Sequence, residues 1–127
     1  MARTDVQREM KEMFGEVIGF IDQIPDEFID SEWDLIKRVQ FGPTLIPNKY
    51  KELLGLGVAA ATKCRYCILF HTEAAKLFGA TEEEVEEAVH YTKLVIGWST
   101  YINGLQVDYD EFKAQVNRVA EHVRAAA

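Results

Sequence analysis

Apolar residues recur along this chain at steps of three and four and almost never alternate in twos, the signature of helices throughout. Val6, Met10, Met13, Phe14, Val17, Ile18 and Ile21 fall on one helix face, and Thr4 with Gln7 has the spacing of a capping box at its start. A second helix is expected after Pro25, with Phe28, Ile29, Trp33, Ile36 and Val39 inward and Gly42-Pro43 as its stop. A third begins near Pro47. Its stretch 53–61, LLGLGVAAA, is apolar or small on every side, which predicts a helix buried all round, with Gly55 and Gly57 admitting close neighbours. Thr62-Lys63 interrupts that run. A fourth helix covers about residues 64–78 with Gly79 as its cap, and Thr81 with Glu84 forms a capping box for a fifth. The fifth turns Val85, Ala88, Val89, Thr92, Val95, Ile96 and Ile102 inward and ends near Gly104. A last helix over about 110–124 does the same with Phe112, Val116, Val119 and Val123. The pattern predicts an all-α protein: a single compact domain, residues 1–127, of about six helices.

Composition narrows the function classes. With 127 residues, 48% of them hydrophobic, the chain can build a core without metal or disulfide staples. A net charge of −7 with no basic cluster repels a phosphate backbone, so no nucleic-acid partner is expected. The acidic run 82–87 reads as a solvated first turn that complements a helix dipole. No run of about 18 apolar residues exists and residues 1–7 are polar, so neither a membrane span nor a signal peptide is expected, and the location implied is cytoplasmic.

The only two cysteines are Cys64 and Cys67. A bridge between residues so close closes almost no loop, so it would stabilise little. In a reducing compartment such a pair is catalytic or metal-binding more naturally than structural. At about 100° per residue, Cys64, Cys67 and His71 share an arc of about 60° on one helix face. His71 can then serve as base or positive neighbour to a thiol, and the second thiol resolves what the first forms. Both cysteines also lie at a helix start, where the dipole and free N–H groups favour thiolate. Cys67 as thiolate would attack a peroxide and form a sulfenic acid that Cys64 condenses to a disulfide. The same pair would equally exchange with a partner disulfide. Three alternatives stand beside this: inert core cysteines, a zinc site short of its fourth ligand, and a redox-sensing helical module without catalysis. The sequence calls for no cofactor. Ile68 after Cys67 excludes a covalent c-type haem.

With Glu52 added, twelve positions before Cys64, the set Glu52, Cys64, Cys67 and His71 resembles the AhpD-like, carboxymuconolactone decarboxylase family. The flanking ELLGLGVAAATKCRYCILFHTEAAKLFGATEEEVEEAV is similar to that family's core helix pair and the helix that follows, with good likeness over about 47–97. The resemblance implies an all-helical fold assembling as trimers or hexamers. It also implies alkylhydroperoxidase-type activity on a peroxide or a partner protein disulfide, with Glu52 and His71 as a proton relay activating Cys67 and Cys64 as its disulfide partner. In one straight helix Glu52 would stand about 18 Å from Cys64, so the relay requires a break near Thr62-Lys63. Without the resemblance Glu52 reads simply as a first-turn surface carboxylate. A peroxidase member of the family has a histidine before the second cysteine, where this chain has Tyr66. A phenol does not shuttle protons near neutral pH as imidazole does, so the departure bears on peroxidase turnover and leaves disulfide exchange untouched. The family name also allows a lactone-acid decarboxylase, although true decarboxylases of the family generally lack the cysteine pair.

Trp33, Tyr91, Trp98, Tyr101 and Tyr109 are more large aromatics than a small helical core easily hides, which points to a homo-oligomer interface beside ordinary core packing. His90 and His122 read as solvent-exposed helix histidines.

Overall fold

The structure, a computed structural model, describes residues 2–127; Met1, read above as part of a polar start, lies outside them. Helix α1 spans Arg3–Phe14, α2 Gly19–Asp22, α3 Asp26–Leu35, α4 Asn48–Thr62, α5 Arg65–Leu77, α6 Glu82–Gly104 and α7 Tyr109–Ala126. A π-helical turn, Ile36–Phe41, continues α3, and the described residues contain no strand. The all-α expectation holds, with seven α-helices among the described residues where about six were expected.

The N-terminal helix differs from its pattern at both ends. It starts at Arg3, so Thr4 lies inside it and the expected Thr4–Gln7 box does not form; Asp5 instead reaches back to accept the Ala2 N–H at 3.3 Å. It stops at Gly15, whose φ of 85° is left-handed and whose N–H closes on the Lys11 carbonyl at 2.9 Å. Val17 and Ile18 therefore sit in a connection and Ile21 in the one-turn α2. Periodicity carried them onto α1 because apolar spacing does not register a single left-handed residue. All three still reach the same core, where Val6, Met10, Ile21, Ile29 and Trp33 are buried together. The Trp33 indole N–H donates to Glu9 at 2.6 Å, and Lys37 pairs with the same carboxylate at 2.8 Å. Phe28 and Val39, expected inward, are half exposed.

A second core lies between α4, α5 and α6, around Leu56, Ala75, Ala80 and Val85. The two cores are bridged by edge-on and tilted rings: Phe14 against Trp33 and Phe41, and Phe41 against Phe70 of α5 at 6.3 Å. The π-helical turn sets this bridge. It ends at Gly42, its last carbonyls are capped from α4 by Lys51 (to Val39 and Gly42) and by Asn48 (to Phe41, 3.2 Å), and α4 is thereby seated against it.

Thr81 and Glu84 form the predicted box. The Thr81 hydroxyl accepts the Glu84 N–H at 3.0 Å, and the Glu84 carboxylate accepts the Thr81 N–H at 2.9 Å. The other Glu84 oxygen pairs with Lys49 of α4 at 2.8 Å; that contact, then the Thr81 N–H, holds Glu84 below the usual carboxylate range. Thr81→Ala is expected to lower stability by about 1 kcal/mol, read from the urea midpoint at unchanged slope.

Three inward faces predicted from the pattern are open in the single chain. On α4, Leu54 and Val58 are exposed, so the helix is buried on one side and not all round. On α6 only Val85 is fully buried, while Val89, Val95 and Ile96 are exposed. Helix α7 buries none of its residues, and Phe112, Val116, Val119 and Val123 all face outward. An amphipathic stripe states that a face needs cover without stating which element supplies it; here no other helix among the described residues does.

Candidate active site

The site is made by reversing the chain between α4 and α5. Lys63 adopts a left-handed conformation (φ 57°, ψ 36°) at the end of α4, and the Cys64 N–H closes on the Ala59 carbonyl at 3.0 Å. This is the break required at Thr62-Lys63, and it lays α5 back along α4. Glu52, 3% exposed, then meets His71: one carboxylate oxygen lies 2.7 Å from Nδ1. A carboxylate only accepts, so Nδ1 carries the hydrogen and Nε2 is the ring's free nitrogen. The surface-carboxylate reading of Glu52 is overturned by its burial.

Two further features fix that imidazole. A Cβ on Gly55 would come within 2.6 Å of Nδ1 and 2.7 Å of Cε1, so the absence of a side chain there is what admits the ring. Gly55 stands one turn after Glu52, on the same face of α4. Phe70 stacks edge-on to the ring at 5.1 Å, which joins His71 to the aromatic bridge. Gly57, by contrast, faces Thr92 of α6. Sequence reasoning credited both glycines with helix packing and missed that one of them shapes the site; a helical glycine three residues after the candidate carboxylate is the signal that marks it.

The cysteines lie at the other end of this feature. Cys64 is not within the helix, as the wheel assumed; it is the extended residue that caps α5. Its sulfur accepts the Cys67 N–H at 3.3 Å and lies 2.7 Å from the Cys67 sulfur. Both thiols are free. The cap side chain folds over the first turn, so the two sulfurs meet as the wheel required, by a different route. The Cys67 thiol holds Cys64 below the ordinary thiol value, with the backbone N–H of Cys67 adding to it. The same contact with Cys64 raises Cys67, as do desolvation and the charge on Cys64. Of the two thiols, Cys64 is drawn down and Cys67 drawn up by their contact.

His71 follows Cys67 by one turn of α5, although among the described residues no hydrogen bond joins it to either sulfur. Tyr66 is exposed under the Arg65 guanidinium, 5.2 Å from its ring centre. His90 and His122 are exposed. Among the described residues, no three His, Cys, Asp or Glu side chains converge to hold a metal ion.

The family model for the carboxymuconolactone decarboxylase family matches residues 32–108, more than half of the chain and all of the site. The chain belongs to that family. Its fold is that of the alkylhydroperoxidase AhpD core from Rhodospirillum rubrum, with a TM-score of 0.68 over 88% of this chain and 85% of that one. At 21% identity that likeness speaks to the fold alone. A curated relative, "Uncharacterized protein 4 in cox locus" of Paracoccus denitrificans, is 33% identical over 61 residues, 48% of this chain and 55% of that protein. The chain thus spans about half the length of the curated relative it matches. Within the family fold, Glu52 and His71 come from the two antiparallel helices α4 and α5, and Cys64 and Cys67 from the turn and first turn that join them. No helix among the described residues is long and apolar enough to cross a membrane.

Proposed function

We propose that this chain is a thiol–disulfide oxidoreductase with alkylhydroperoxidase-type activity, cycling Cys64 and Cys67 between dithiol and disulfide without a bound cofactor. The observation that carries the reading is the pairing of a buried carboxylate with His71 one helical turn from a vicinal thiol pair. A carboxylate buried against an imidazole orients the ring and stabilises the positive charge it gains on taking a proton. Two free thiols within bonding reach at a helix start supply the electrons. With a peroxide, two thiols become one disulfide while ROOH becomes ROH and water; with a partner protein disulfide, that disulfide becomes two thiols. Glu52 and His71 serve as the relay for the proton of Cys67. We place this activity in the cytoplasm, with no nucleic-acid or membrane partner. Self-association as a trimer or hexamer is supported by the family resemblance and by the outward aromatics Tyr91, Trp98, Tyr101 and Tyr109. Trp33 belongs to the core instead.

The test follows free thiols in the reduced protein. Addition of an alkyl hydroperoxide or of a low-molecular-weight disulfide is expected to remove both thiols together, with an intramolecular disulfide recovered by mass spectrometry. Thiols unchanged with both oxidants, over times in which a free thiol control reacts, would remove the redox reading and leave the family's lyase chemistry to be tried.

A further inference from the structure

We propose that the site selects its substrate by charge: Lys63 and Arg65, on either side of Cys64, draw in a disulfide that carries a carboxylate close to its sulfurs and disfavour a cationic one. The selection rests on the dithiol reading given above and goes beyond it by naming the substrate class. It follows from where this acidic chain keeps its charge. Of 21 acidic residues, none lies in 53–72, the stretch that forms most of α4, the turn after it and the first two turns of α5. Glu52, just before that stretch, is buried and paired with His71. Helix α6 lies along α4 in the same direction, since Lys49 pairs with Glu84 and Gly57 faces Thr92 two turns further on. The acids of α6 are confined to 82–87, beside the start of α4, and residues 88–107 hold none. The next acids come after α6 has ended at Gly104; there Asp108 caps α7 and Glu111 pairs with Arg118. On the side of the π-helical turn, Glu9 and Asp34 are paired with Lys37 and Arg38.

The cations at the two ends of this helix layer are in opposite states. At the acidic end Lys49 and Lys76 are neutralised by Glu84 and Glu82, each at 2.8 Å. At the cysteine end Lys63 and Arg65 are exposed, and among the described residues neither makes an ion pair. The Arg65 guanidinium lies over the Tyr66 ring, 5.2 Å from its centre, and gives one N–H to the Tyr66 hydroxyl at 3.4 Å, beside Cys67. It keeps further N–H donors for a carboxylate. Both side chains are rooted next to Cys64 and carry charge to within about 7 Å of its sulfur, where one charge changes the encounter with an ion in water about threefold. Two such cations favour an anion over a neutral analogue by about tenfold. The reaction is the one already given: Cys64 and Cys67 together lose two protons and two electrons and join in an S–S bond, while the bond of the substrate breaks to give two carboxylate-bearing thiols.

Thiol loss in the reduced protein is followed with three disulfides of one shape, dithiodipropionate, dithiodiethanol and cystamine, which end in carboxylate, hydroxyl and ammonium. Each rate is divided by that of mercaptoethanol, a neutral thiol, with the same disulfide. At about 0.01 M salt wild type is expected to prefer the anion to the cation by at least about tenfold, and to lose most of that preference at about 1 M, where the Debye length falls from about 30 Å to about 3 Å. Lys63→Asn with Arg65→Gln should abolish the preference, asparagine being chosen because it tolerates the left-handed turn. Lys63→Arg with Arg65→Lys should keep it. A change in thiol acidity or in folding moves all three rates together, so the ratio isolates the charge. No anion preference in wild type, or a preference that survives loss of both cations, overturns the proposal. Alkylation repeats the test without turnover: iodoacetate, relative to iodoacetamide, is expected to react about tenfold faster with wild type than with the uncharged double variant. Equal ratios overturn the selection even if the Cys64–Cys67 disulfide forms. The expected ratios in a protein that none of the three disulfides oxidises would sink the dithiol reading and leave the anion selectivity standing.

Discussion

Glu52→Gln is expected to slow formation of the Cys64–Cys67 disulfide by about 10²-fold or more, with the helical fold intact. General-base assistance by a positioned side chain contributes about 10²–10⁴-fold, and here the base has its hydrogen bond from a buried carboxylate, 2.7 Å from Glu52 to His71 Nδ1. Glutamine has nearly the same shape, so packing around Leu56 and the turn at Lys63 should survive. It fails in two other respects. Its neutral amide does not stabilise the imidazolium that forms when His71 takes a proton. Its NH₂ end, turned toward Nδ1, would favour the tautomer with the hydrogen on Nε2, leaving no acceptor for the thiol. Glu52→Ala should be worse for stability, because it opens a cavity and leaves Nδ1 half-buried without a partner, at about 1–3 kcal/mol. The measurement is single-turnover loss of free thiols, followed with a chromogenic disulfide, alongside far-UV circular dichroism. A Glu52→Gln rate within threefold of wild type, in a folded protein, would show that the buried pair is structural only.

The elements legible in the sequence are those written in local chemistry. Thr81 and Glu84 name a helix start because both partners of the cap lie within four residues, and Gly79 (φ 95°) names the stop before it. The break at Lys63 was legible from the polar interruption of an apolar run, and from the requirement that Glu52 return to His71. What could not be read depends on contacts between distant segments. Nothing local distinguishes Ile36–Phe41 as a π-helical turn, since its end is capped by Lys51 and Asn48 of the next helix. Cys64 was placed inside a helix because cysteine is not among the usual cap residues. The wheel still found its neighbour, since a cap side chain folded back over the third helical residue mimics the contact of two residues one turn apart. The stripes of α6 and α7 were read correctly as apolar and wrongly as covered, the one step at which periodicity says nothing about the partner.

Gly55→Ala is expected to lower activity by about 10²-fold while changing stability far less, and the reason is geometric. The new Cβ would stand 2.6 Å from Nδ1, 2.7 Å from Cε1 and 3.0 Å from Cγ of His71, closer than non-bonded atoms tolerate. The ring cannot yield by a small rotation, because Glu52 holds Nδ1 and Phe70 lies against it at 5.1 Å. Either the imidazole swings out and leaves a buried carboxylate unpaired, or α4 and α5 part where Gly55 faces the ring. Overpacking of this kind costs about 1–3 kcal/mol. Against it, alanine favours a helix over glycine by about 1 kcal/mol, so the net loss should be no more than about 2 kcal/mol. The relay, however, is lost in either case, because both movements take the ring from Glu52. Two other glycines calibrate the result. Gly57→Ala meets only the Thr92 hydroxyl, at 3.0 Å, and Gly97→Ala in α6 meets nothing within 4 Å. The first should leave thiol oxidation within about threefold of wild type and the second should raise stability by up to about 1 kcal/mol. Urea midpoints and single-turnover rates for the three variants separate helix propensity from ring displacement. If Gly55→Ala oxidises its thiols as fast as Gly57→Ala does, the imidazole is not held where the chemistry needs it.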